Sequence, residues 1–320
     1  MLSPAIAENN LYLGVNAGAS LFLPGLYSNR EILYRFDSLD SVAKTPAILY
    51  AVPVVGMNVS LVHNEKWIFG YSGNIARATW LENPTTQKIE LKKCGTPTAL
   101  TCRTLDPHFS PSFTFAANLT RTDHDLSVTR RLGSSNWLLF AALRYQYYAV
   151  NGERPAQGNN DTTTTQIGPP VNATTTTASG QSPGATTNYS AQSAGGALGI
   201  GYTLNFLQNW YLNLQAGFLI LRGTADYVYY SADNRFSLHE KNQLLGLGSS
   251  GAFSLGYSVT GTHILLLSYK FQVFRMGALS GSRTTVDQYG TELTSSDGFF
   301  SDGAVDLINT LTLAYIYKVF

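Results

Sequence analysis

The sequence predicts an all-β chain: an up-and-down antiparallel β-barrel that crosses a membrane with its strands. Extended segments alternate apolar with polar side chains, and the connections between them alternate short with long. Charged residues make up only 13% of the 320, about half the share found in soluble globular proteins. Aromatic residues reach 12%, yet no run approaches the roughly 20 apolar residues that a transmembrane helix requires.

The last strand shows the alternation most clearly. Its apolar face, interrupted by Asn309, consists of Val305, Leu307, Leu311, Leu313, Tyr315, Tyr317 and Val319. Its other face consists of small or polar residues, namely Asp306, Thr310, Thr312, Ala314 and Lys318. Because successive strand residues point to opposite sides, this pattern fits a closed barrel with lipid outside and a polar interior.

Ten segments share this character. They span residues 11–23, 48–62, 67–80, 112–132, 137–150, 194–206, 210–222, 244–259, 263–276 and about 305–320. Each exceeds the roughly 9–11 residues that a tilted transmembrane strand needs. Four short and five long connections alternate between them, which predicts tight periplasmic turns at one end and large extracellular loops at the other. Twelve strands is the alternative, if Thr122-Asp123-His124-Asp125 forms a turn.

The domain organisation predicted is a single barrel over residues 11–320, preceded by a remnant of a signal or processing region in residues 1–10. Ala5-Ile6-Ala7 has the small-x-small form of a signal-peptidase site, although the hydrophobic segment that should precede it is missing. The match is either chance or a sign that Met1 lies within a longer precursor. The longest connection, 151–193, is rich in Thr, Asn, Gly and Ser, so we expect it to be mobile.

The polar faces of the strands supply candidate lumen-lining residues, because a charge on the lipid side costs about 2–4 kcal/mol at mid-membrane. These candidates are Arg121, Asp123, Asp125, Arg131, Arg144, Gln146, Lys270 and Gln272. Segments 194–206 and 244–259 instead direct small residues inward, which either permits tight strand curvature or leaves space for a polar passage. Ten strands lie close to the eight that side chains can fill, so any pore is narrow.

Tryptophan and cysteine positions add two further predictions. Trp67, Trp137 and Trp210 each begin a strand just after a short turn, as an interfacial aromatic girdle requires. Cys94 and Cys102 are the two cysteines of the chain and share one long connection, which predicts a disulfide in an oxidising compartment. No histidine lies between them to complete a metal site. We therefore expect neither a metal nor a cofactor.

The C-terminal strand resembles the terminal strand of bacterial outer-membrane β-barrels, which commonly ends on an aromatic residue that the insertion machinery reads. In those strands the aromatic residue is in phase with the lipid face, whereas Phe320 is one residue out of phase. This resemblance implies the bacterial outer membrane as the location. It also implies lipid and the barrel-insertion machinery as partners.

The chain is also similar in length and strand number to the omptin proteases, which use Asp and His residues near the barrel rim. No omptin motif is matched. His124 would point away from Asp123 and Asp125 on a strand, because neighbouring residues alternate faces. We therefore predict no catalytic residue.

Three functions remain open at this point. The first is a narrow porin-like or solute-specific channel for small hydrophilic solutes, lined by the charged residues above. The second is a structural or surface-interaction barrel that binds a partner protein through its external loops. The third and least favoured is an omptin-like enzyme. The net charge of +1 gives no electrostatic reason to expect a nucleic-acid partner.

Overall fold

A computed structural model describes residues 9–25, 31–36, 39–44, 50–64, 66–86, 89–94, 102–105, 112–133, 135–153, 186–230, 237–286, 292–295 and 304–320. Their strands are β1 (Asn9–Leu23), β2 (Glu31–Phe36), β3 (Leu39–Lys44), β4 (Tyr50–His63), β5 (Trp67–Thr86), β6 (Ile89–Cys94), β7 (Cys102–Leu105), β8 (Ser112–Arg131), β9 (Trp137–Glu153), β10 (Thr186–Leu207), β11 (Trp210–Tyr230), β12 (Ser237–Thr260), β13 (His263–Val286), β14 (Glu292–Ser295) and β15 (Ala304–Lys318).

Ten of these strands close into one antiparallel barrel. Around the ring they follow the order β1, β4, β5, β8, β9, β10, β11, β12, β13 and β15, and β15 pairs back onto β1 from Leu23↔Leu307 to Tyr12↔Lys318. The predicted up-and-down barrel is confirmed. β8 runs unbroken through 122–125 and pairs on both sides there, so the barrel has ten strands and not twelve.

Closure of the barrel pairs the backbone hydrogen-bonding groups of its first and last strands. In hydrocarbon an unpaired N–H or C=O group has no water to bind, so a spanning sheet must have no open edge. The β1–β15 seam meets this requirement, with twelve consecutive residue pairs. Among the described residues, no helix has the length and hydropathy to cross a membrane.

Several strands extend well past their predicted ends. β10, β11, β12 and β13 contain 22, 21, 24 and 24 residues, where the pattern predicted them to stay within 194–206, 210–222, 244–259 and 263–276. Strands of that length, tilted as in other barrels, rise roughly 55–60 Å, and the apolar band of such barrels is only about 25 Å tall. The outward face turns polar where the strands leave the band, so the apolar signal ends before the sheet does.

Three connections predicted to be loops contain strands, and in the last of them β14 pairs with β13. β2 and β3 lie between β1 and β4, and β6 and β7 lie between β5 and β8; together they form a second, four-stranded sheet in the order β2-β3-β6-β7. Part of the predicted mobile connection, 186–193, belongs to β10. Residues 154–185 of that connection and 1–8 of the predicted N-terminal remnant lie outside the described residues.

Cys94 and Cys102 stand directly opposite each other where β6 pairs with β7. Opposite residues of an antiparallel pair have Cα atoms about 4.5–5.5 Å apart, which falls in the range that a disulfide spans. The bond itself remains a prediction. We expect oxidised protein to resist alkylation by iodoacetamide until a reductant is added, and then to gain two carbamidomethyl groups by mass spectrometry. Alkylation without reductant would refute the disulfide.

The outer face of the barrel carries the apolar side chains that face lipid. Leu143, Leu198 and Phe218 are 66%, 69% and 54% exposed, a degree of exposure that would be costly in water over so wide a band. Trp67, Trp137 and Trp210 all begin their strands at the short-turn end. Their rings lie 5.1 Å from the Arg130 guanidinium, 5.1 Å from the Tyr202 ring and 4.8 Å from the Tyr257 ring, respectively. Their role as a girdle is still a prediction.

Two polar side chains within the apolar band, His124 and Asn309, each lie within hydrogen-bond distance of a tyrosine from a neighbouring strand. The Tyr71 hydroxyl lies 2.9 Å from His124 Nδ1, and the Tyr269 hydroxyl donates to Asn309 Oδ1 over 3.0 Å. A buried or lipid-facing polar group costs free energy when unpaired. Asn309, which interrupts the apolar face of the last strand, therefore has a hydrogen-bond partner on the neighbouring strand β13.

Candidate functional site in the barrel interior

The first group in the lumen links opposite walls through Asp125. This residue lies on β8 directly opposite Arg144 of β9. Arg144 donates from Nε to Asp125 Oδ1 over 2.5 Å and from Nη2 to Oδ2 over 3.2 Å. Lys270 Nζ donates to the same Oδ2. Since β13 is five positions from β8 around the ring of ten, the Asp125–Lys270 ion pair crosses the whole lumen.

A second group lies next to the first and also crosses the lumen. Arg121 donates to both carboxylate oxygens of Asp123, and its Nη1 donates to Ser20 Oγ over 2.9 Å. Gln146 Nε2 donates to Gln272 Oε1 over 2.8 Å, with a longer contact of 3.4 Å to Asp123 Oδ1. We call the two groups together the polar layer, formed by Asp125, Arg144, Lys270, Arg121, Asp123, Gln146, Gln272, Ser20 and Thr310; the Ser20 and Thr310 hydroxyls lie 3.0 Å apart.

An apolar layer covers the polar layer on its surface-facing side. It consists of the inward residues two positions further along five strands, namely Phe22, Leu119, Tyr148, Phe274 and Ile308, none more than 7% exposed. Tyr189, Leu219 and Leu221 complete it from β10 and β11. The Phe22 and Tyr148 rings meet edge to face at 5.0 Å. The cavity left between the two layers measures about 10 Å³, enough for one water molecule.

Below the polar layer the inward side chains are half-buried or buried. Ser127, Ala142, Ser268 and Thr312 lie one inward step nearer the short turns, and all four are half-buried rather than buried. The side chain of Lys270 is 30% exposed and that of Asp125 is 13% exposed. Inward residues still nearer the short turns on three of these strands, Thr129, Leu138 and Ala314, are only 9%, 3% and 2% exposed, so solvent reaches the polar layer only in part.

Seven of the eight predicted lumen residues lie in the polar layer. The eighth, Arg131, is exposed at the short-turn rim, where its backbone N–H donates to the Lys66 carbonyl over 2.8 Å. Strand alternation assigns Arg131 to the inward face, but the strand ends there, so its side chain is not brought into the network. His124 lies on the outer face, bonded to Tyr71 and opposite in direction to Asp123 and Asp125.

Two interior groups were not singled out from the sequence. Asp306 accepts from the Gly25 backbone N–H over 2.6 Å and from the Tyr148 hydroxyl over 3.5 Å. Glu240 and Arg283 are register partners on β12 and β13, and Arg283 Nε donates to Glu240 Oε1 over 2.5 Å. Burial lowers the pKa of Arg283 to about 10, so the guanidinium remains charged at neutral pH. Asp306 was assigned inward by alternation, whereas 240 and 283 fell in segments predicted to be loops.

The described residues hold no cluster of three or more His, Cys, Asp or Glu side chains that could ligate a metal ion. The polar contacts inside the described part of the barrel are ion pairs and hydrogen bonds between its own walls.

The comparisons with known proteins agree with this architecture. The outer-membrane protease OmpT from Escherichia coli superposes with a TM-score of 0.52 at 12% identity, over 99% of each chain. The chain has the fold of a bacterial outer-membrane β-barrel. At that identity the likeness extends to the barrel fold and not to the activity of OmpT.

Other solved barrels are more distant. The translocator domain of the autotransporter NalP from Neisseria meningitidis gives a TM-score of 0.41 at 8% identity, over 96% of this chain and 88% of that one. The Pseudomonas putida toluene transporter TodX gives 0.30 at 10% identity, over 99% and 90%. No protein-family model and no curated protein matches the sequence.

Proposed function

We propose that this chain is an outer-membrane barrel with a sealed lumen, and that it acts through its surface-projecting part rather than by conducting solutes. The observation that carries the proposal is the apolar layer. Phe22, Leu119 and Tyr148 are almost fully buried inside the barrel, and a hydrophilic solute would have to displace them at the cost of their packing.

The polar layer supports the same proposal. Its cations and carboxylates are paired with one another, and two of its links, Asp125–Lys270 and Gln146–Gln272, join distant walls. A conducting lumen instead needs charged groups whose partners leave room for water and solute. Ion pairs and hydrogen bonds that link opposite walls in this way stabilise the closed barrel.

The length of the barrel supports a role at the cell surface. β10 to β13 continue about twice as far as a membrane requires. The four-stranded sheet of β2, β3, β6 and β7 is built from connections at the same end. A scaffold that only anchors itself in lipid has no need of this length, so we assign the function to a partner or ligand bound there.

Planar-bilayer recording tests this proposal. Refolded protein, with insertion verified by flotation of proteoliposomes and by resistance to trypsin, is expected to show no conductance steps at any voltage or salt concentration. Regular, reproducible conductance of the unmodified protein would overturn the sealed-lumen proposal.

A gated channel is the second candidate, because the side chains of Lys270 and Asp125 are 30% and 13% exposed and are therefore not fully closed off from water. The variant Asp125→Asn/Arg144→Gln/Lys270→Met removes all three charges together and separates the two candidates. The sealed-barrel proposal expects this variant to remain silent, since the apolar layer is untouched. A gate formed by the ion pairs would open in it, and conductance steps would appear.

A further inference from the structure

A groove of about 430 Å³ lies on the outer face of the projecting part, where β11, β12 and β13 pair. It is lined by Thr224, Ala225, Asp226, Lys241, Asn242, Gln243, Ser280, Gly281 and Ser282. We call it the outer groove. Its volume falls in the range of small-ligand sites. Strand alternation places six of its nine lining residues on the outer face, whereas Ala225, Asn242 and Gly281 between them are on the inner face.

The height of the outer groove above the membrane narrows the choice of ligand. Arg222, exposed on the outer face, lies 12 residues along β11 from Trp210, a rise of roughly 30 Å for a tilted strand. The apolar band is about 25 Å tall. Arg222 therefore lies roughly 5 Å above the upper edge of the band, and the outer groove begins two residues further along, at Thr224, roughly 10 Å above that edge. The headgroup layer of a phospholipid leaflet is only about 5–7 Å thick.

The chemistry of the outer groove suits sugar hydroxyls and anionic substituents. Apart from Ala225 and Gly281, every lining side chain is polar. His239 Nε2 lies 2.8 Å from Asp226 Oδ1, a contact that orients the carboxylate while leaving its side chain 45% exposed. Among the described residues Lys241 makes no ion pair, although it stands opposite Asp226. An ammonium without an ion-pair partner can bind an anionic group on the ligand.

A protein partner fits this surface less well. Protein interfaces depend on a few buried aromatic, Arg or large apolar anchors that fill pockets, and the lining of the outer groove offers no apolar pocket for such a side chain. Hydroxyl, amide and carboxylate groups at close spacing are the groups that hydrogen-bond to a saccharide.

We propose that the outer groove binds the phosphorylated saccharide headgroup of the glycolipid in the outer leaflet. In this arrangement Asp226 and Gln243 bond to sugar hydroxyls, Lys241 binds an anionic substituent, and Arg222 binds a phosphate nearer the acyl chains. The inference rests on the proposed function, because it names a ligand for the same projecting part of the barrel.

Isothermal titration calorimetry of the folded protein in zwitterionic detergent tests the inference. The probes are the delipidated, phosphorylated core oligosaccharide of an outer-membrane glycolipid, inorganic phosphate, and phosphatidylglycerol in bicelles. We expect the oligosaccharide to bind, and phosphate and phosphatidylglycerol to bind at least tenfold more weakly. Lys241→Gln and Asp226→Asn are each expected to lower the affinity for the oligosaccharide about tenfold.

Arg77→Gln is the matched control, since Arg77 is an exposed cation on β5, on the far side of the barrel from β12. It is expected to leave the affinity unchanged. The inference is overturned if the oligosaccharide does not bind, if phosphate or phosphatidylglycerol binds as tightly, or if Lys241→Gln behaves like Arg77→Gln. These outcomes are independent of the bilayer recordings, so a conducting barrel could still bind the saccharide and a silent barrel could fail to bind it.

Discussion

Replacing Asp125 by Asn is expected to destabilise the barrel by about 3–5 kcal/mol, the cost of breaking a buried ion pair by removing one partner. Asp125 pairs with two cations, Arg144 and Lys270. The Arg144 side chain is only 5% exposed, so it cannot recover its hydration after the carboxylate is neutralised. The two cations would then also repel each other across the position that Asp125 occupied.

Urea titration of the barrel in detergent micelles or thin bilayers, followed by tryptophan fluorescence, measures this free energy of unfolding. Asp226→Asn is the matched control, because Asp226 also has a side-chain partner, His239, but its own side chain is 45% exposed. Exposed pairs contribute at most about 1 kcal/mol. If Asp125→Asn costs no more than Asp226→Asn, the polar layer does not brace the barrel.

The membrane-crossing part of the fold was predictable from the sequence because each strand carries its own signal. One face must be apolar against lipid, so alternation identified all ten strands, and the lengths of the connections set their order. A small barrel has only one way to arrange ten sequential antiparallel strands, since each pairs with the next and the last pairs with the first. The last strand still closes the barrel although Phe320 is one residue out of phase with its lipid face.

The projecting part was harder to predict for a physical reason. Above the apolar band both faces of a strand meet water or polar neighbours, and the outer face of β11 changes from Phe218 and Ile220 to Arg222, Thr224 and Asp226. Period-two patterning fades there, so the segments around 223–243 and 277–304 were predicted to be loops.

The sequence predicted which residues of the polar layer face inward, but not which of them contact each other. Alternation assigned Asp125, Arg144 and Lys270 to the inward face without indicating that they meet. Which residues meet depends on the stagger between strands and on the diameter of the closed ring, and both are properties of the whole sheet. The same limit applies to Ser20, which faces inward by alternation but gains its role from Arg121 across the lumen.

The small inward residues of β10 and β12 had two explanations from the sequence, tight curvature or room for a passage. Gly195 decides in favour of curvature at its position. It pairs with Leu221 on one side and Arg144 on the other, and a Cβ built on it would overlap the Ile220 backbone carbonyl oxygen. The strands approach so closely there that only a hydrogen atom fits, which is one way in which a small barrel accommodates its curvature.

Gly195→Ala is therefore expected to destabilise the barrel by about 1–3 kcal/mol, because the overlapping atom belongs to backbone that cannot rotate away. Gly196→Ala, one residue along and on the outer face, is the matched control. The nearest atom to a Cβ at Gly196 is the Ala142 carbonyl oxygen at 3.8 Å, an ordinary contact. With no strain, the loss of unfolded-state freedom should leave that variant unchanged or stabilised by up to about 1 kcal/mol. Equal free energies of unfolding for the two variants would contradict the curvature explanation for Gly195. They would favour the alternative, that small residues leave space in the lumen.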